Sequence, residues 1–280
     1  MKLAYLFIIT VLFANAANAQ EKTDTAKKKR SHYVNIGTNG INYGSRKEKD
    51  TTESKADDNK EDDPFSVHWG MLDLGFNSLN DKTNYNSAAA QNFLQVDPSL
   101  KNKNLFNLNQ GKSINVNIYP IMTKYRLYAS KHEKLYLVSG LGLQLYNFRF
   151  DKPVTYINTT EPAVIMSTTN LSKNKLAFDY LMIPLEIVSK TKVGNKTWLV
   201  YGGGITGGYR LNSWMKQKSD EFGKRKDHDS FNFQDFNSCL MGEIGLDGYF
   251  RLYATYQITS LQSDALNQYP FCIGIRFMGI

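Results

Sequence analysis

The 280-residue chain carries only two cysteines, Cys239 and Cys272, and four histidines that lie far apart. Two cysteines cannot make a disulfide scaffold. His32, His68, His132 and His228 lack the close spacing of a metal pair or a nucleophile relay, so neither a metal nor a cofactor is expected. Long apolar runs are equally scarce. Beyond Leu3–Phe13 no stretch approaches the roughly eighteen residues a membrane-spanning helix needs, which excludes a helical membrane protein. Lys and Arg outnumber Asp and Glu by 34 to 26, yet the basic residues are spread over polar connections and form no single stripe. Nucleic acid is therefore not an expected partner.

What is present begins with an export signal. Lys2 supplies a positive start, Leu3–Phe13 an apolar stretch and Ala17-Asn18-Ala19 a small-residue cleavage site, so residues 1–19 read as a secretory signal peptide. No Cys follows that site, which argues against a lipoprotein. Residues 20–64 are nearly all charged or small and polar, with a basic block at Lys27–Arg30 and an acidic one around Asp57–Asp63. Such a segment cannot bury a core and is expected to be a largely disordered periplasmic extension. Within it, "HYVNIGTNGINYG" at 32–44 is a candidate short strand or hairpin about Asn39-Gly40.

From residue 65 to 280 the chain breaks into eight segments of period-two alternation: Val67–Leu79, Ile114–Tyr128, Lys134–Phe150, Lys175–Val188, Thr197–Trp214, Phe236–Leu246, Phe250–Leu261 and Tyr269–Ile280. The connections between them run long, short, long, short, long, short, then moderate. Long outer loops and short inner turns are the signature of an up-and-down antiparallel barrel in an outer membrane. The fold class expected is all-β, an eight-stranded antiparallel transmembrane β-barrel.

The two faces of each segment agree with this. Leu141, Leu143 and Leu145 oppose Gly140, Gly142, Gln144 and Tyr146, while Leu181, Ile183, Leu185 and Ile187 oppose Tyr180, Met182, Pro184 and Glu186. A soluble barrel would set Lys and Glu against its oily face, whereas Gly, Tyr, Asn and single charges suit a narrow polar lumen. Leu72, Leu74, Phe76, Leu141, Leu143, Ile183, Leu185, Phe250, Leu252, Ile273 and Ile275 are the expected lipid-facing set. The terminal strand, Tyr269–Ile280, is expected to close the barrel against the first, leaving no unpaired edge, and to be the segment read by the barrel-assembly machinery.

Over roughly Phe65 to the end, the chain resembles the small outer-membrane β-barrel proteins of Bacteroidetes-type bacteria, the broad group that includes PorT-like proteins. The resemblance rests on "HWGMLDLGFNSL" (His68–Leu79), "GKSINVNIYPI" (Gly111–Ile121), "YLVSGLGLQLYNFRF" (Tyr136–Phe150), "YLMIPLEI" (Tyr180–Ile187) and the terminal strand. It implies a fold and a location in the cell outer membrane of a Gram-negative envelope, and no activity.

Motifs for chemistry are few. "NQGKS" (Asn109–Ser113) lacks the first glycine of a P-loop, since Phe106 stands there, and precedes a strand where a helix is needed. The glycines of "GGGITGG" (Gly202–Gly208) lie mid-strand, where Gly202, Gly204 and Gly208 would let a tightly curved wall bend. Alternation places Asp73, Glu186 and Glu243 against Arg210, Arg251 and Arg276 in the lumen, where unpaired charges are costly. A structural network of ion pairs is the expectation. These features point to a structural or interaction role with no catalysis. The alternatives are an outer-rim lipid or peptide hydrolase using Asp227, His228 and Asp229 of "KDHDS", and a narrow small-solute transporter whose lumen charges part. Expected partners are outer-membrane lipid and lipopolysaccharide, touched by Lys101, Lys103, Lys216, Lys218 and Lys224–Lys226, together with a periplasmic or secretion-system protein. Cys239 and Cys272, two strands apart, should remain free thiols. The turn Asp247-Gly248-Tyr249 should be a three-residue hairpin loop that keeps Glu243 and Arg251 on one face.

Overall fold

The computed structural model of the protein describes residues 30–37, 40–47, 64–158 and 161–277. Its strands are β1 (Arg30–Gly37), β2 (Gly40–Lys47), β3 (Phe65–Asp81), β4 (Ile114–Ala129), β5 (Glu133–Arg149), β6 (Val154–Asn158), β7 (Pro162–Met166), β8 (Lys173–Lys192), β9 (Trp198–Ser219), β10 (Gly223–His228), β11 (Phe236–Leu246), β12 (Arg251–Gln257) and β13 (Gln268–Phe277). Eight of them form a closed ring in the order β3, β4, β5, β8, β9, β11, β12, β13 and back to β3. Every neighbouring pair is antiparallel. The closing contact runs from Gln268↔Asp81 to Phe277↔Leu72. The fold is thus an all-β, eight-stranded up-and-down barrel, and its strands are the eight alternating segments of the sequence. Residues 1–19, expected to be a signal peptide, and most of the charged segment lie outside the described residues. Near one end of the ring β2 pairs with β3 through Ile41↔Trp69, Asn42↔His68 and Tyr43↔Val67, just beyond the stretch of β3 that β13 covers.

Alternation sorts the side chains inside out. Asp73, Glu186, Arg251 and Arg276 face inward and are buried, whereas Leu74, Phe76, Leu141, Ile183, Leu185, Leu252 and Ile273 face outward, each at least 41% exposed. Leu72, Leu143 and Ile275 of the expected lipid-facing set are partly exposed and Phe250 is exposed, so none of the set turns inward. Leaving one Leu or Ile in water instead of burying it forfeits about 1.5–3 kcal/mol. A belt of them around the whole ring is stable only in lipid, and the barrel is a transmembrane one. No helix among the described residues is long and apolar enough to cross a membrane; the strands do the crossing.

The small ring demands close approach of its walls. A Cβ at Gly204 of β9 would meet the carbonyl oxygen of Leu185 in β8 at 2.1 Å, and one at Gly274 of β13 would meet that of Leu74 in β3 at 2.2 Å. Glycine at these inward positions removes the clash and lets the sheet coil.

Apolar clusters fill the lumen on both sides of its polar middle. Toward the short turns, Met71, Tyr119, Met122, Tyr136, Val138, Met182, Val188 and Val200 pack together. Toward the long loops a larger cluster joins inward residues such as Tyr146, Phe148, Phe178 and Tyr180 to loop residues. These come from the short helix α1 (Ala88–Phe93), whose first turn is capped by the Ser87 side chain, from the β6–β7 hairpin, and from Phe231, Phe233, Leu261 and Leu266. The loops are therefore folded inward as a cap. The strand expected over Phe250–Leu261 is correspondingly shorter: pairing stops at Gln257, and Leu261 turns down into the cap, fully buried.

Two smaller expectations hold. The hairpin register Gly245↔Arg251 and Glu243↔Tyr253 keeps Glu243 and Arg251 on the inner face, with Gly248 at φ +80° in the turn between them. Cys239 and Cys272 are buried free thiols on β11 and β13, separated by β12.

Candidate functional site

The polar middle of the lumen is organised by Arg276. It sits directly across the closing seam from Asp73 and donates to it twice, Nε to Oδ1 at 2.8 Å and Nη2 to Oδ2 at 3.1 Å. Its Nη1 reaches Glu186 Oε2 at 3.1 Å and Glu243 Oε2 at 2.9 Å. Glu243 also accepts from Arg251 Nη1 at 2.9 Å. Arg251 and Arg276 are cross-strand neighbours, a like-charge juxtaposition that costs stability by itself. Glu243, held between the two guanidinium groups, offsets it. Asp73 is further bonded by Tyr119 Oη and Asn117 Nδ2, and the Arg276 guanidinium lies 5.5 Å from the centre of the Tyr119 ring.

The glycine run of β9 explains how acids from two different strands share one arginine. Glu186 of β8 is paired across the sheet with Gly204, and Glu243 of β11 with Gly202. The strand between the two acids thus presents no side chain at their level, which leaves the lumen open for Glu186 to reach the same guanidinium as Glu243.

Asp73, Glu186, Glu243, Arg251 and Arg276 form one connected network, with three carboxylates and two guanidinium groups. Arg210, expected among them, is elsewhere. It pairs with Asp235 at 2.8 Å and donates to Ser213 and to the carbonyls of Phe233 and Gln234, anchoring the loop before β11. The reason is height. Arg210 is six residues along β9 from Gly204, about 20 Å toward the long loops at 3.3 Å per residue.

Toward the short turns the charge path continues. Asp247 accepts from Lys190 at 2.8 Å and lies 3.9 Å from Arg251. Lys124 and Lys190 place their ammonium groups 4.9 Å and 5.9 Å from the Tyr136 ring centre. On the other side of the network, Asn237 donates to Gln144 at 2.9 Å, and Tyr253 donates to Asn115 at 3.0 Å. Most polar groups of this interior are paired with one another, while Asn117 Oδ1 and Thr255 Oγ1 are buried without a hydrogen-bond partner among the described residues.

The outer loop constellation does not converge. His228 ends β10 with Nδ1 3.0 Å from Asn212 Oδ1 and its ring 5.6 Å from that of Trp214. Asp227, on the opposite face of the strand, pairs with Arg225 at 2.7 Å. Burial acts against the charge of Asp229, but bonds from Asn158, Phe231 and Ser230 outweigh it and hold the carboxyl below its usual range. Asp229 is thus spent on shaping the loop, as is Asp81, which accepts the hydroxyl of Tyr85 at 2.6 Å. Burial and that bond together push the Tyr85 phenol up. Among the described residues no group of His, Cys, Asp and Glu could hold a metal ion.

No protein-family model and no curated protein matches the sequence. Among solved structures the chain is similar to Ail, the attachment invasion locus protein of Yersinia pestis. The match is 8% identical, covers 74% of this chain and 96% of that one, and has a TM-score of 0.27. The class, a transmembrane β-barrel, stands on the strand pairing and the inverted distribution of apolar residues.

Proposed function

We propose that the protein is a structural or interaction component of the outer membrane of a Gram-negative cell envelope, one of the small barrels of the group that includes PorT-like proteins. The observation that carries this reading is the filled lumen. An eight-stranded ring leaves an interior just wide enough for side chains, and here an ion-paired middle lies between two apolar clusters. A sealed interior puts the work at the two ends of the barrel. The long-loop end faces outward to lipopolysaccharide and surface partners. The charged residues 20–64 are the segment we assign to contact with a periplasmic or secretion-system protein, and the closing strand the part that engages the assembly machinery.

Planar-bilayer recording of the purified protein tests the sealed interior, and the expected result is an absence of stepwise conductance. Steady single-channel openings would refute it and move the function to transport. Crosslinking in the native membrane, with and without residues 21–63, reads the partner side: a crosslinked neighbour that disappears with the deletion is the expected outcome.

A further inference from the structure

β8, β9 and β10 continue past the apolar belt as a sheet, and a single extra residue in β9 decides what its outer face carries. Asp179 pairs with Asn212 but the next residue, Tyr180, pairs with Arg210, so Leu211 is bulged. A one-residue insertion reverses the alternation. Beyond it Ser213, Met215, Gln217 and Ser219 are buried inside, and Trp214, Lys216 and Lys218 point out.

Reading across the strands, one outward row is Arg149, Lys175, Lys216 and Lys226, each opposite the next. The row above it is Lys173, Lys218 and Lys224. Below them stand Trp214 and His228, themselves a pair, then Asp179 against Asn212, then Tyr209 against Phe236, and then the apolar belt. With strands about 4.8 Å apart, the row of four cations spans roughly 14 Å.

Seven cations at adjacent lattice points oppose one another. Among the described residues none of the seven is ion-paired with a carboxylate. Lys175 donates to Asn147, Arg149 to the Ser172 carbonyl, and Lys226 lies 4.1 Å over the Trp214 ring. On this extension, beyond the membrane-spanning part of the strands, burial followed by repulsion from Lys173, Lys216 and Lys226 brings Lys175 down to about 8. Repulsion from Lys224 leads the lowering of Lys216. The arrangement calls for a multivalent anion.

Its height identifies the kind. Aromatic side chains mark the edge of the hydrocarbon, and Lys216 and Lys226 stand two residues above Trp214 and His228, about 7 Å higher, at the level of lipid phosphates. We propose that this outward face, Arg149, Lys173, Lys175, Lys216, Lys218, Lys224 and Lys226, is a docking site for the phosphorylated headgroup of lipopolysaccharide in the outer leaflet. This deepens the outer-membrane reading and rests on it.

The test uses the full chain in zwitterionic detergent, titrated with fluorescently labelled deep-rough lipopolysaccharide. The variant K216Q/K218Q/K224Q/K226Q should bind several hundredfold more weakly, at about fivefold per lysine. The four Lys→Arg changes should retain binding, and heat-modifiable gel mobility should show both variants folded. K131Q/K192Q, at the short-turn end, should bind like the parent, as should the parent in the presence of equimolar inorganic phosphate. Dephosphorylated lipopolysaccharide should bind as weakly as the glutamine variant. The proposal is overturned if the glutamine variant binds like the parent, if K131Q/K192Q is equally impaired, or if free phosphate or the dephosphorylated lipid does as well as the intact one. Binding in micelles does not depend on where cells place the protein. Membrane fractionation reads location separately, so failure of the site and failure of the outer-membrane reading are told apart.

Discussion

Replacing Arg276 by Met removes the group on which three buried carboxylates converge. Asp73 would lose both its bonds from the guanidinium and keep only Tyr119 and Asn117. Glu186 would lose its arginine partner, and Glu243 would keep Arg251. Breaking a buried ion pair from one side costs about 3–5 kcal/mol, chiefly because the remaining charge is stranded. With two of the three acids stranded, R276M should lose about 5 kcal/mol. The assay is denaturant unfolding of the barrel refolded in micelles, followed by tryptophan fluorescence, with the midpoint shifting at constant slope. Neutralising the stranded acids as well, in R276M/D73N/E186Q, should recover much of the loss. Arg210, whose partner Asp235 is mostly exposed, provides the contrast: R210M should cost about 1–2 kcal/mol. A loss for R276M of about 1 kcal/mol or less, or one no larger than that of R210M, would refute the hub assignment, because an arginine worth that little is not compensating buried charge.

Ile183→Arg on the lipid face should cost about 2–4 kcal/mol or block insertion, whereas Gln144→Ala inside should be milder; equal tolerance in a heat-modifiability gel would contradict the face assignment. Gly204→Val should abolish folding, because even its Cβ would strike the Leu185 backbone, while Gly207→Ala, with open space at that position, should fold normally; refolding yields of the two variants make the comparison. Gly248→Ala should cost about 1 kcal/mol through its positive φ, read as a small shift in unfolding midpoint with no change in gel mobility. Alkylation without reduction followed by mass spectrometry should find Cys239 and Cys272 unlinked, and a crosslinked peptide pair would contradict their placement on either side of β12.

The faces of the barrel are legible in the sequence because alternation is a local property. Each residue of a run such as Tyr180–Ile187 has its phase fixed by its immediate neighbours, so the run can lie on the sheet in only one way. Height is not local, since it depends on the stagger accumulated around the ring. Alternation therefore assigns Arg210 to the correct wall and carries no information about its level, which is where the expectation for it fails. The bulge at Leu211 is invisible for a related reason: one extra residue leaves composition and periodicity on either side intact and only reverses the phase. The cap is hidden differently. Phe93, Phe106, Tyr156, Phe231 and Phe233 meet in space but come from separate stretches of the long connections with no shared period. Their only trace in the sequence is that connections of polar composition contain large aromatic residues, a signal that says something is buried without saying against what.

The network also bears on how the ring closes in one register. β13 and β3 are far apart in sequence, so no turn fixes their alignment, and a closing pair lined by Ile, Leu and Phe on one side could slide without losing much apolar contact. A slip of one residue would turn Arg276 toward lipid and strand Asp73 inside, and a slip of two would keep the faces but break the double contact of Nε and Nη2 with Asp73. Because Glu186 and Glu243 hold the same guanidinium from strands outside the seam, only the observed alignment satisfies all three acids at once. Buried charge is weak as a source of net stability and stronger as a selector among alternatives of similar apolar content. On that argument the seam is set by Arg276 and the surrounding carboxylates, and the apolar belt, indifferent to register, supplies insertion into the bilayer.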